Sequence, residues 1–468
     1  MSLAEATPEL DIADRDARND RAFFGHPKGL GYLAFTETWE RFSYYGMQTL
    51  LVLYMVNELL LPGHIENVVG FESLRGLYGN IEGQALASAI FGTYTSLVYL
   101  TPILGGLLAD RVLGKRRTVM LGAITMAAGH FMMAFEASFL FALLFLIIGN
   151  GMFKGNIASQ VGALYGPDDL RRASAFQIFF LGINAAVIAS PLVVGTLGEG
   201  VGWHWGFGAA GVGMLIGLVI YIAGQKHLPK EHFDRRAAGE KAERPKLTRT
   251  DWSALIALFL LIPVMAVGFL PNQQIFNAYL VWGDRQFDLE FMGTQLPTSW
   301  LITLDAITSV SFLALVALFY AWYGKRRKEP DEVTKMIIGS VFVVGGLLCL
   351  FVAAATTPEG EKIGLFWPVM FHLLNSIGFA HMLPVSLALF AKVAPKAVNA
   401  TVIGIYYLTF VAANAMVGYV GGWLDTMPTT SFWLMHAGFA AVAGFVFLLF
   451  KIFLSKRLVQ AEPAPLPD

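Results

Sequence analysis

The sequence predicts an all-α membrane protein with twelve transmembrane helices in two six-helix bundles. Three observations predict it: an apolar composition, twelve apolar segments of spanning length, and an uneven distribution of basic residues. Of the 468 residues, 56% are hydrophobic and only 14% are charged, and the mean hydropathy is +0.58. Soluble domains carry about 25% charged residues. The composition is therefore that of a chain embedded in lipid.

Twelve apolar segments approach the length of about 20 residues that crosses a bilayer. They cover residues 30–56, 86–109, 118–136, 139–162, 173–194, 204–224, 252–282, 299–323, 334–356, 364–391, 397–422 and 430–454. The longest charged interruption separates six spans from six. We therefore predict five regions: a cytoplasmic tail over 1–29, an N-terminal bundle over 30–225, a linker over 226–250, a C-terminal bundle over 251–455 and a second tail over 456–468.

The basic residues predict the orientation of these spans. With the N-terminus placed inside, 28 of the 33 Lys and Arg fall on the cytoplasmic side, three fall outside and two lie within spans. Cytoplasmic loops are enriched in Lys and Arg, so both termini are predicted to be cytoplasmic. The basic excess is explained by topology, and no binding of nucleic acid is expected. Residues 1–29 contain no apolar h-region, so no cleavable signal peptide is expected.

Several chemistries are not expected from this chain. Cys349 is the only cysteine, which excludes an intramolecular disulfide and a cysteine-based metal site. No metal-ligand spacing, nucleophile elbow or P-loop is present. We therefore predict that the chain is not an enzyme and that it needs no metal or other cofactor.

A short internal repeat supports two related halves. The tetrapeptide GKRR occurs at Gly114–Arg117 after the second span and at Gly324–Arg327 after the eighth, the equivalent position in the second half. Four residues in a basic loop can coincide by chance, but the matched spacing strengthens the repeat.

The stretch ETWERFSYYG, from Glu37 to Gly46, places charge inside the first span. Each charge near the bilayer centre costs about 2.5–3.5 kcal/mol on insertion scales. On a helix, Glu37, Glu40 and Arg41 lie at i, i+3 and i+4, so both carboxylates reach the guanidinium. The same face continues with Tyr44, Tyr45 and Gln48. We predict that this face lines a water-filled pathway; the alternative is an ion pair that only fixes helix packing.

Lys154 is the second unusual charge, in GNGMFKGN on the fourth span. Lys154 is surrounded by Gly149, Gly151 and Gly155. Such small residues let a neighbouring helix approach closely. An ammonium within the membrane needs a carboxylate partner, and Glu37 and Glu40 are the candidates in the same half. The alternative is a lysine that extends to the cytoplasmic surface.

These motifs resemble the proton-dependent oligopeptide transporter (POT) family of the major facilitator superfamily, over nearly the whole chain. The family pattern E-x-x-E-R-F-x-Y-Y-G is matched between Glu37 and Gly46. The stretch GGLLADRVLGKRRT from Gly105 is similar to the superfamily loop between the second and third helices. Further similar stretches are YLTPILGGLLADR from Tyr99, FQIFFLGIN from Phe176 to Asn184, LPTSW from Leu296 and AKVAPKA from Ala391.

The resemblance implies proton-coupled uptake of di- and tripeptides through a site near the membrane midplane, at the interface of the two halves. It assigns peptide binding to Arg41, Tyr44, Tyr45, Tyr99, Lys154 and Asn184. Glu37 and Glu40 become the proton carriers, coupled to Arg41 and Lys154. It further implies a monomeric protein of the bacterial inner membrane that contacts small peptides and membrane lipids and uses protons as its coupling ion.

The chain departs from the family at several positions. Gln48 and Asn272 stand where the family has arginine and glutamate; the loss of both charges together is nearly neutral, whereas the loss of one strands a buried charge. Phe379 occupies the glutamate position of the tenth span. Asp305, where the family has asparagine, is predicted as a substitute acidic partner for the peptide amino group or a basic residue. The alternative is an aspartate near the headgroups.

Three gate candidates complete the set. Asp284 lies at the outer end of the seventh span, and Gln84 stands where its basic partner is expected. Phe379 and His381 lie on the tenth span, where His372 can also titrate, although lone membrane histidines more often serve packing. Tyr406 aligns with a pocket tryptophan of the family. The altered C-terminal half leaves a second function open: transport of a non-peptide solute such as nitrate or an organic anion.

Overall fold

The structure, a computed structural model, describes residues 20–166, 169–229, 247–395 and 398–453. These residues are almost entirely helical, and each of the twelve predicted segments falls on a helix. The second tail over 456–468 and most of the predicted first tail and linker lie outside the described residues.

The described residues of the first half form eight helices. They are α1 (Lys28–Tyr54), α2 (Phe71–Leu77), α3 (Gly83–Leu108), α4 (Lys115–Met132), α5 (Phe139–Ala163), α6 (Arg171–Ser190), α7 (Thr196–Gly200) and α8 (Trp203–Gly224). Three π-helical turns extend α1, α3 and α6, at Met55–Leu59, Ala109–Leu113 and Pro191–Gly195. The last begins at a proline, which has no N–H to continue the α-helical hydrogen bonds.

Eight more helices lie in the described part of the second half. They are α9 (Arg249–Gln273), α10 (Ala278–Gln286), α11 (Trp300–Gly324), α12 (Glu332–Thr356), α13 (Phe366–Val393), α14 (Asn399–Tyr406), α15 (Leu408–Gly421) and α16 (Thr429–Phe453). A two-stranded antiparallel hairpin, β1 (Glu290–Phe291) and β2 (Thr294–Gln295), connects α10 to α11.

Ten helical segments of the described residues are long and apolar enough to cross a membrane. The first and third predicted spans, on α1 and α4, are not among them. In α1, Glu37, Glu40 and Arg41 interrupt the apolar run, and α4 has only 18 residues and begins with three basic ones. The exceptions therefore reflect charge in one helix and short length in the other.

The seventh and eleventh spans differ from the prediction of continuous segments. Helix α9 ends at Gln273, a 3-10 turn follows over Gln274–Phe276, and α10 begins at Ala278. Asn277 between them has φ −126° and ψ −106°, outside the helical region. The eleventh span is divided between α14 and α15 at Tyr407. Hydropathy does not detect such breaks, because the residues on both sides are apolar.

The contacts between Cα atoms group the described residues into two compact units. The first unit holds residues within 1–50, 62–71 and 100–241; the second holds 51–61, 72–99 and residues within 242–468. In the first unit α4 packs against α5 and α8. In the second, α12 packs against α13 and α16, and α9 packs against α15 and α16.

Glycines allow close helix contacts in the first unit. A Cβ on Gly105 of α3 would lie 1.9 Å from the carbonyl oxygen of Gly151 on α5. A Cβ on Gly149 would lie 2.8 Å from the carbonyl oxygen of Gly122 on α4. The predicted close approach at Gly149 and Gly151 is therefore confirmed. Gly155 differs, since a Cβ there would meet nothing within 4 Å.

Candidate functional site: a buried ion cluster and a second polar group

Two acids and an arginine form a compact ion cluster on α1. The Nε atom of Arg41 lies 3.1 Å from Oε1 of Glu37 and 2.5 Å from Oε2 of Glu40. The helical spacing of these residues brings them together, as the sequence predicts. Both carboxylate oxygens thus form a charge-assisted contact with the guanidinium.

The cluster is sealed from solvent. The side chains of Arg41 and Glu40 are 3% and 1% exposed, and that of Glu37 is 5% exposed. Among the described residues, Oε2 of Glu37, Oε1 of Glu40 and Nη2 of Arg41 have no hydrogen-bond partner. Buried charged groups with unused hydrogen-bonding capacity are costly. This unused hydrogen-bonding capacity is therefore unusual for a cluster that serves packing alone.

Lys154 on α5 adds a second cation to this cluster. It interacts electrostatically with Glu37, Glu40 and Arg41, and its side chain is only partly buried. With all four groups ionised, two negative charges balance two positive ones. The predicted association of Lys154 with Glu37 and Glu40 agrees with this arrangement, and Lys154 does not stand alone near the surface.

Aromatic and amide groups extend the α1 face. The guanidinium carbon of Arg41 lies 5.2 Å from the centroid of the Tyr44 ring, a cation–π distance. The rings of Tyr44 and Tyr45 pack edge to face with centroids 5.2 Å apart. Gln48 is buried, and within the described residues its Oε1 has no hydrogen-bond partner. The face continues over two turns as predicted.

Asn184 on α6 is turned toward its own helix. Its Nδ2 donates to the carbonyl oxygen of Phe180 at 2.9 Å. Phe180, which stands where the family usually has tyrosine, is 56% exposed. Binding of a peptide by the Asn184 amide would require it to release this local bond, or to act through its Oδ1 acceptor.

The second unit holds an aromatic stack that includes two predicted residues. The rings of Tyr99 and Phe410 are stacked with centroids 5.2 Å apart, and Phe410 also stacks on Phe269 at 5.1 Å. Tyr406 is 1% exposed, and its hydroxyl lies 3.0 Å from Oγ of Ser386. Tyr406 is thus a buried hydrogen-bonded residue of the unit's core.

Asp305 on α11 forms a hydrogen-bonded chain with two further titratable residues. Its Oδ1 lies 3.0 Å from Nδ1 of His372 on α13, and Nε2 of His372 lies 2.8 Å from the hydroxyl of Tyr279 on α10. The carboxylate of Asp305 thus binds a completely buried histidine. The sequence prediction did not include Tyr279, because its contact depends on the packing of three helices.

The gate candidate Asp284 has neutral partners. Its Oδ2 accepts from Nδ2 of Asn57 at 2.9 Å, and its Oδ1 accepts from Oγ1 of Thr298 at 2.8 Å. Both partners were missed by the sequence prediction, which considered only Gln84. Gln84 instead donates to Oγ of Ser88 at 3.0 Å. Within the described ranges, Asp284 is thus held by hydrogen bonds and not by an ion pair.

Neutral polar groups continue from Ser88 through the second unit. Ser88 donates to Oδ1 of Asn277 at 3.2 Å, and Nδ2 of Asn277 donates to Oε1 of Gln274 at 3.0 Å. Gln274 in turn lies 3.2 Å from Nε2 of His436. All four are buried. The break between α9 and α10 lets these amides form hydrogen bonds with one another. Hydropathy alone does not detect such a break.

The contacts of the remaining predicted residues, within the described part of the chain, do not mark a binding site. His381 is bound through Nδ1 to the carbonyl oxygen of Ile377 at 2.8 Å and through Nε2 to the hydroxyl of Tyr320 at 3.1 Å, as expected for a packing histidine. Phe379 on the same helix and Asn272 at the end of α9 are partly buried. Their predicted roles stay predictions.

Comparison with known proteins now adds to this geometry. The model of the POT family matches residues 116–244 and 238–434. The uncharacterized transporter YclF of Bacillus subtilis (strain 168) is 31% identical, over 94% of this chain and 96% of its own length. The peptide transporter YePEPT of Yersinia enterocolitica subsp. palearctica is 29% identical, over 87% of this chain and 91% of its own length.

Solved structures give the same relationship. The peptide transporter POT in complex with sulfate has a TM-score of 0.83 and 26% identity, covering 98% of this chain and 100% of that chain. A mutant of a peptide transporter POT in complex with alafosfalin has a TM-score of 0.82 and 26% identity, with the same coverage.

The fold and the charges buried within its helices define an integral membrane transporter of the major facilitator type. The chain belongs to the POT family. The predicted fold class and family are thereby confirmed. Members of this family are transporters, so the prediction that the chain is not an enzyme is confirmed as well.

Proposed function

We propose that this chain is a proton-coupled symporter that imports di- and tripeptides by alternating access. Two findings support the proposal. The relatives include a peptide transporter of Yersinia enterocolitica and a di-/tripeptide transporter of Lactococcus lactis, and the buried cluster on α1 offers both cations for a carboxylate and acids for a proton. The cluster is the observation that carries the proposal, because it joins these two chemistries in one place.

The cationic side of the cluster binds the peptide carboxylate in this proposal. Arg41 has a guanidinium nitrogen without a hydrogen-bond partner in the described part of the chain, and arginine binds carboxylates in a forked geometry. Lys154 supplies the second positive charge. Tyr44 and Tyr45 form an amphipathic wall that accepts varied side chains.

The acidic side of the cluster carries the coupling proton. Protonation of Glu37 or Glu40 removes one negative charge that holds Arg41 and Lys154, which frees a cation for the substrate carboxylate. One proton that moves down a potential of about 100 mV releases about 2.3 kcal/mol. A tenfold gradient of a neutral solute costs about 1.4 kcal/mol. One proton per zwitterionic peptide therefore suffices for accumulation.

The same proposal includes the protein's setting. The distribution of Lys and Arg supports an inner-membrane protein with both termini in the cytoplasm, surrounded by lipid and active as a monomer. No oligomeric partner is needed for a site built within one chain. The mass of the protein in lipid nanodiscs, measured by light scattering, tests the monomer.

Uptake in proteoliposomes tests the function. We expect labelled dialanine to enter faster when an inward proton gradient is imposed than when it is absent. Equal uptake with and without the gradient would reject proton coupling. No specific uptake of any di- or tripeptide under either condition would reject peptide transport itself.

A single substitution tests the role of the acids. We expect Glu40→Gln to lower proton-driven uptake at least about tenfold while exchange of labelled for unlabelled dialanine continues, because exchange requires no net proton movement. The matched control is Glu361→Gln, which changes an exposed glutamate outside the helices and is expected to leave both rates unaltered. If Glu40→Gln leaves driven uptake intact, Glu40 is not a coupling site.

A second candidate function is transport of an anion such as nitrate or an organic acid. The observation that favours it is Phe379 on α13, which stands where the family has a glutamate. A solute without an amino group would need only the cations of α1 and α5. Competition separates the two candidates: dialanine should inhibit uptake of a peptide at low concentration and should not inhibit uptake of nitrate.

A further inference from the structure

The chain of Asp305, His372 and Tyr279 in the second unit has no assigned role. It joins three helices, because Asp305 lies on α11, His372 on α13 and Tyr279 on α10. The two hydrogen bonds are 3.0 Å and 2.8 Å long. His372 is completely buried, Tyr279 is 1% exposed and the side chain of Asp305 is 15% exposed. Of the three side chains, that of Asp305 is therefore the most exposed.

The imidazole of His372 is satisfied in either protonation state. When the ring is neutral, its Nδ1–H donates to Asp305 and its Nε2 accepts from the hydroxyl of Tyr279. When the ring is cationic, Nδ1–H still donates to Asp305 and Nε2–H donates to the oxygen of Tyr279, whose hydroxyl hydrogen turns away. Neither state leaves a ring nitrogen without a partner, so neither carries the full cost of an unsatisfied buried group.

The charge balance favours uptake of a proton at this place. Among the described residues, the only basic group within salt-bridge distance of Asp305 is His372. A carboxylate inside the membrane needs a counter-charge. Lysine or arginine would supply it permanently, but a histidine supplies it only when it holds a proton. The pair is therefore negative without the proton and neutral with it.

The other titratable groups on the packed elements have partners of their own. His436 on α16 is bound to Gln274 and to the carbonyl oxygen of Phe432. The charged groups of α10 are held by Asn57 and Thr298 at Asp284 and by Asp425 at Arg285. The charged groups of α12 lie at its first turns, Glu332 and Lys335, and Cys349 is a half-buried thiol farther along it. Tyr279 is the remaining titratable group in the chain itself.

We propose that Asp305, His372 and Tyr279 form a second proton-binding site, which takes one proton from solvent in each transport cycle and returns it to solvent. The proposal rests on the proton-coupled function proposed above and deepens it. It assigns Asp305 to the proton and not to the peptide amino group. The second unit thereby replaces the acid that the family carries at the position of Phe379.

Nuclear magnetic resonance of the histidine rings tests proton binding without any transport. In protein labelled with 15N-histidine in nanodiscs, the signal that His372→Gln removes belongs to His372. We expect this ring to change from singly to doubly protonated as the pH falls from about 8 to about 5. In Asp305→Asn it should stay singly protonated over the same range, because the counter-charge is gone. A ring that never changes in the wild-type protein would overturn the proposal.

Transport then tests the use of the proton. The number of protons that enter with each dialanine is measured from parallel uptake of label and of acid. We expect this number to fall by one in His372→Gln and in Asp305→Asn, while exchange of labelled for unlabelled dialanine stays within about twofold of wild type. Tyr279→Phe should keep the number and slow driven uptake, because it removes only the hydroxyl.

A matched histidine controls for the loss of a buried ring. His436→Gln changes another completely buried histidine of the same unit, one without a carboxylate partner among the described residues, and should leave the proton number unaltered. The proposal is overturned if His372→Gln keeps the wild-type proton number. It is also overturned if Asp305→Asn alone raises KM for dialanine and His372→Gln does not, since Asp305 would then bind the amino group. Absence of proton-driven uptake in the wild type would overturn the proposed function, while a titrating His372 ring would still stand.

Discussion

The first and second units hold buried acid in different ways. In the first unit, Glu37 and Glu40 face Arg41, a guanidinium that stays charged, and they also interact with Lys154. In the second unit, Asp305 faces His372, a base that is charged only after it binds a proton. The first arrangement is balanced before any proton arrives, whereas the second becomes balanced through the proton.

The two proposals above therefore couple protons to substrate in different ways. In the first, a proton would release a cation of the first unit from its acids, and the cation would become available for an anionic group of the substrate. In the second, a proton would neutralise a site of the second unit that otherwise holds an uncompensated charge. At other buried positions the second unit holds neutral amides, Gln274 and Asn277 among them.

The largest effect is expected from removal of the permanent cation of α1. Arg41→Gln leaves Glu37 and Glu40 buried without their closest counter-charge, and breaking a buried ion pair typically costs about 3–5 kcal/mol. We expect a large loss of folded protein or a melting temperature lower by many degrees, measured by tryptophan fluorescence on heating. Arg75→Gln is the control, since Arg75 pairs with glutamates that are 79% and 73% exposed and such pairs contribute at most about 1 kcal/mol.

The melting temperature of His372→Gln tests the same comparison between the two units. If the two units held acid in the same way, loss of His372 would cost as much as loss of Arg41. A cost for Arg41→Gln no greater than that for Arg75→Gln would contradict the view that the α1 cluster depends on its permanent cation.

The second prediction compares helix packing in the two units. Gly105→Ala places a methyl group 1.9 Å from a backbone oxygen of Gly151, and overpacking of this kind costs about 1–3 kcal/mol. Gly106→Ala is the matched control, because a Cβ there meets nothing within 4 Å. In the second unit, Gly268→Ala meets the end of the Met382 side chain at 3.1 Å, which can move.

Thermal unfolding of these three variants in nanodiscs ranks their stabilities. We expect Gly105→Ala to be clearly less stable than Gly268→Ala, and Gly106→Ala to match the wild-type protein. Equal melting temperatures for Gly105→Ala and Gly106→Ala would mean that α3 and α5 are not held at this distance.

The sequence predicted the helical architecture and the first-unit cluster because both are local. Twelve apolar segments give twelve helical segments, and the spacing of Glu37, Glu40 and Arg41 fixes their distance on one helix. The association of Lys154 followed from charge balance alone, since an ammonium in lipid needs a carboxylate.

The second-unit contacts were not predicted, because they depend on which helices become neighbours. Asp305 and His372 were each noted as unusual, yet 67 residues separate them and no periodicity joins them. The partners of Asp284 were missed for a related reason. Asn57 and Thr298 are ordinary polar residues at helix ends, and hydropathy gives no signal for a hydrogen bond over 227 residues.

The smallest effect is expected at the start of α12, where another acid of the second unit is held by fixed groups. Asp331 caps this helix, and its carboxylate accepts from the backbone N–H of Thr334 at 2.9 Å and lies 3.2 Å from Nζ of Lys451. Burial opposes ionisation of Asp331, but the hydrogen bonds from Thr334 and the charge of Lys451 hold its pKa below the usual value. We expect Asp331→Ala to cost about 1 kcal/mol near pH 7.

The pH dependence of that cost completes the comparison. Because the pKa of Asp331 is lower in the folded than in the unfolded state, its stabilising effect is complete above the unfolded value of about 3.9. The effect is lost as the pH falls through the folded value, so the difference in melting temperature between Asp331→Ala and the wild-type protein should shrink below about pH 4. A difference that is constant from pH 7 to below pH 4 would show that the cap does not act through its charge.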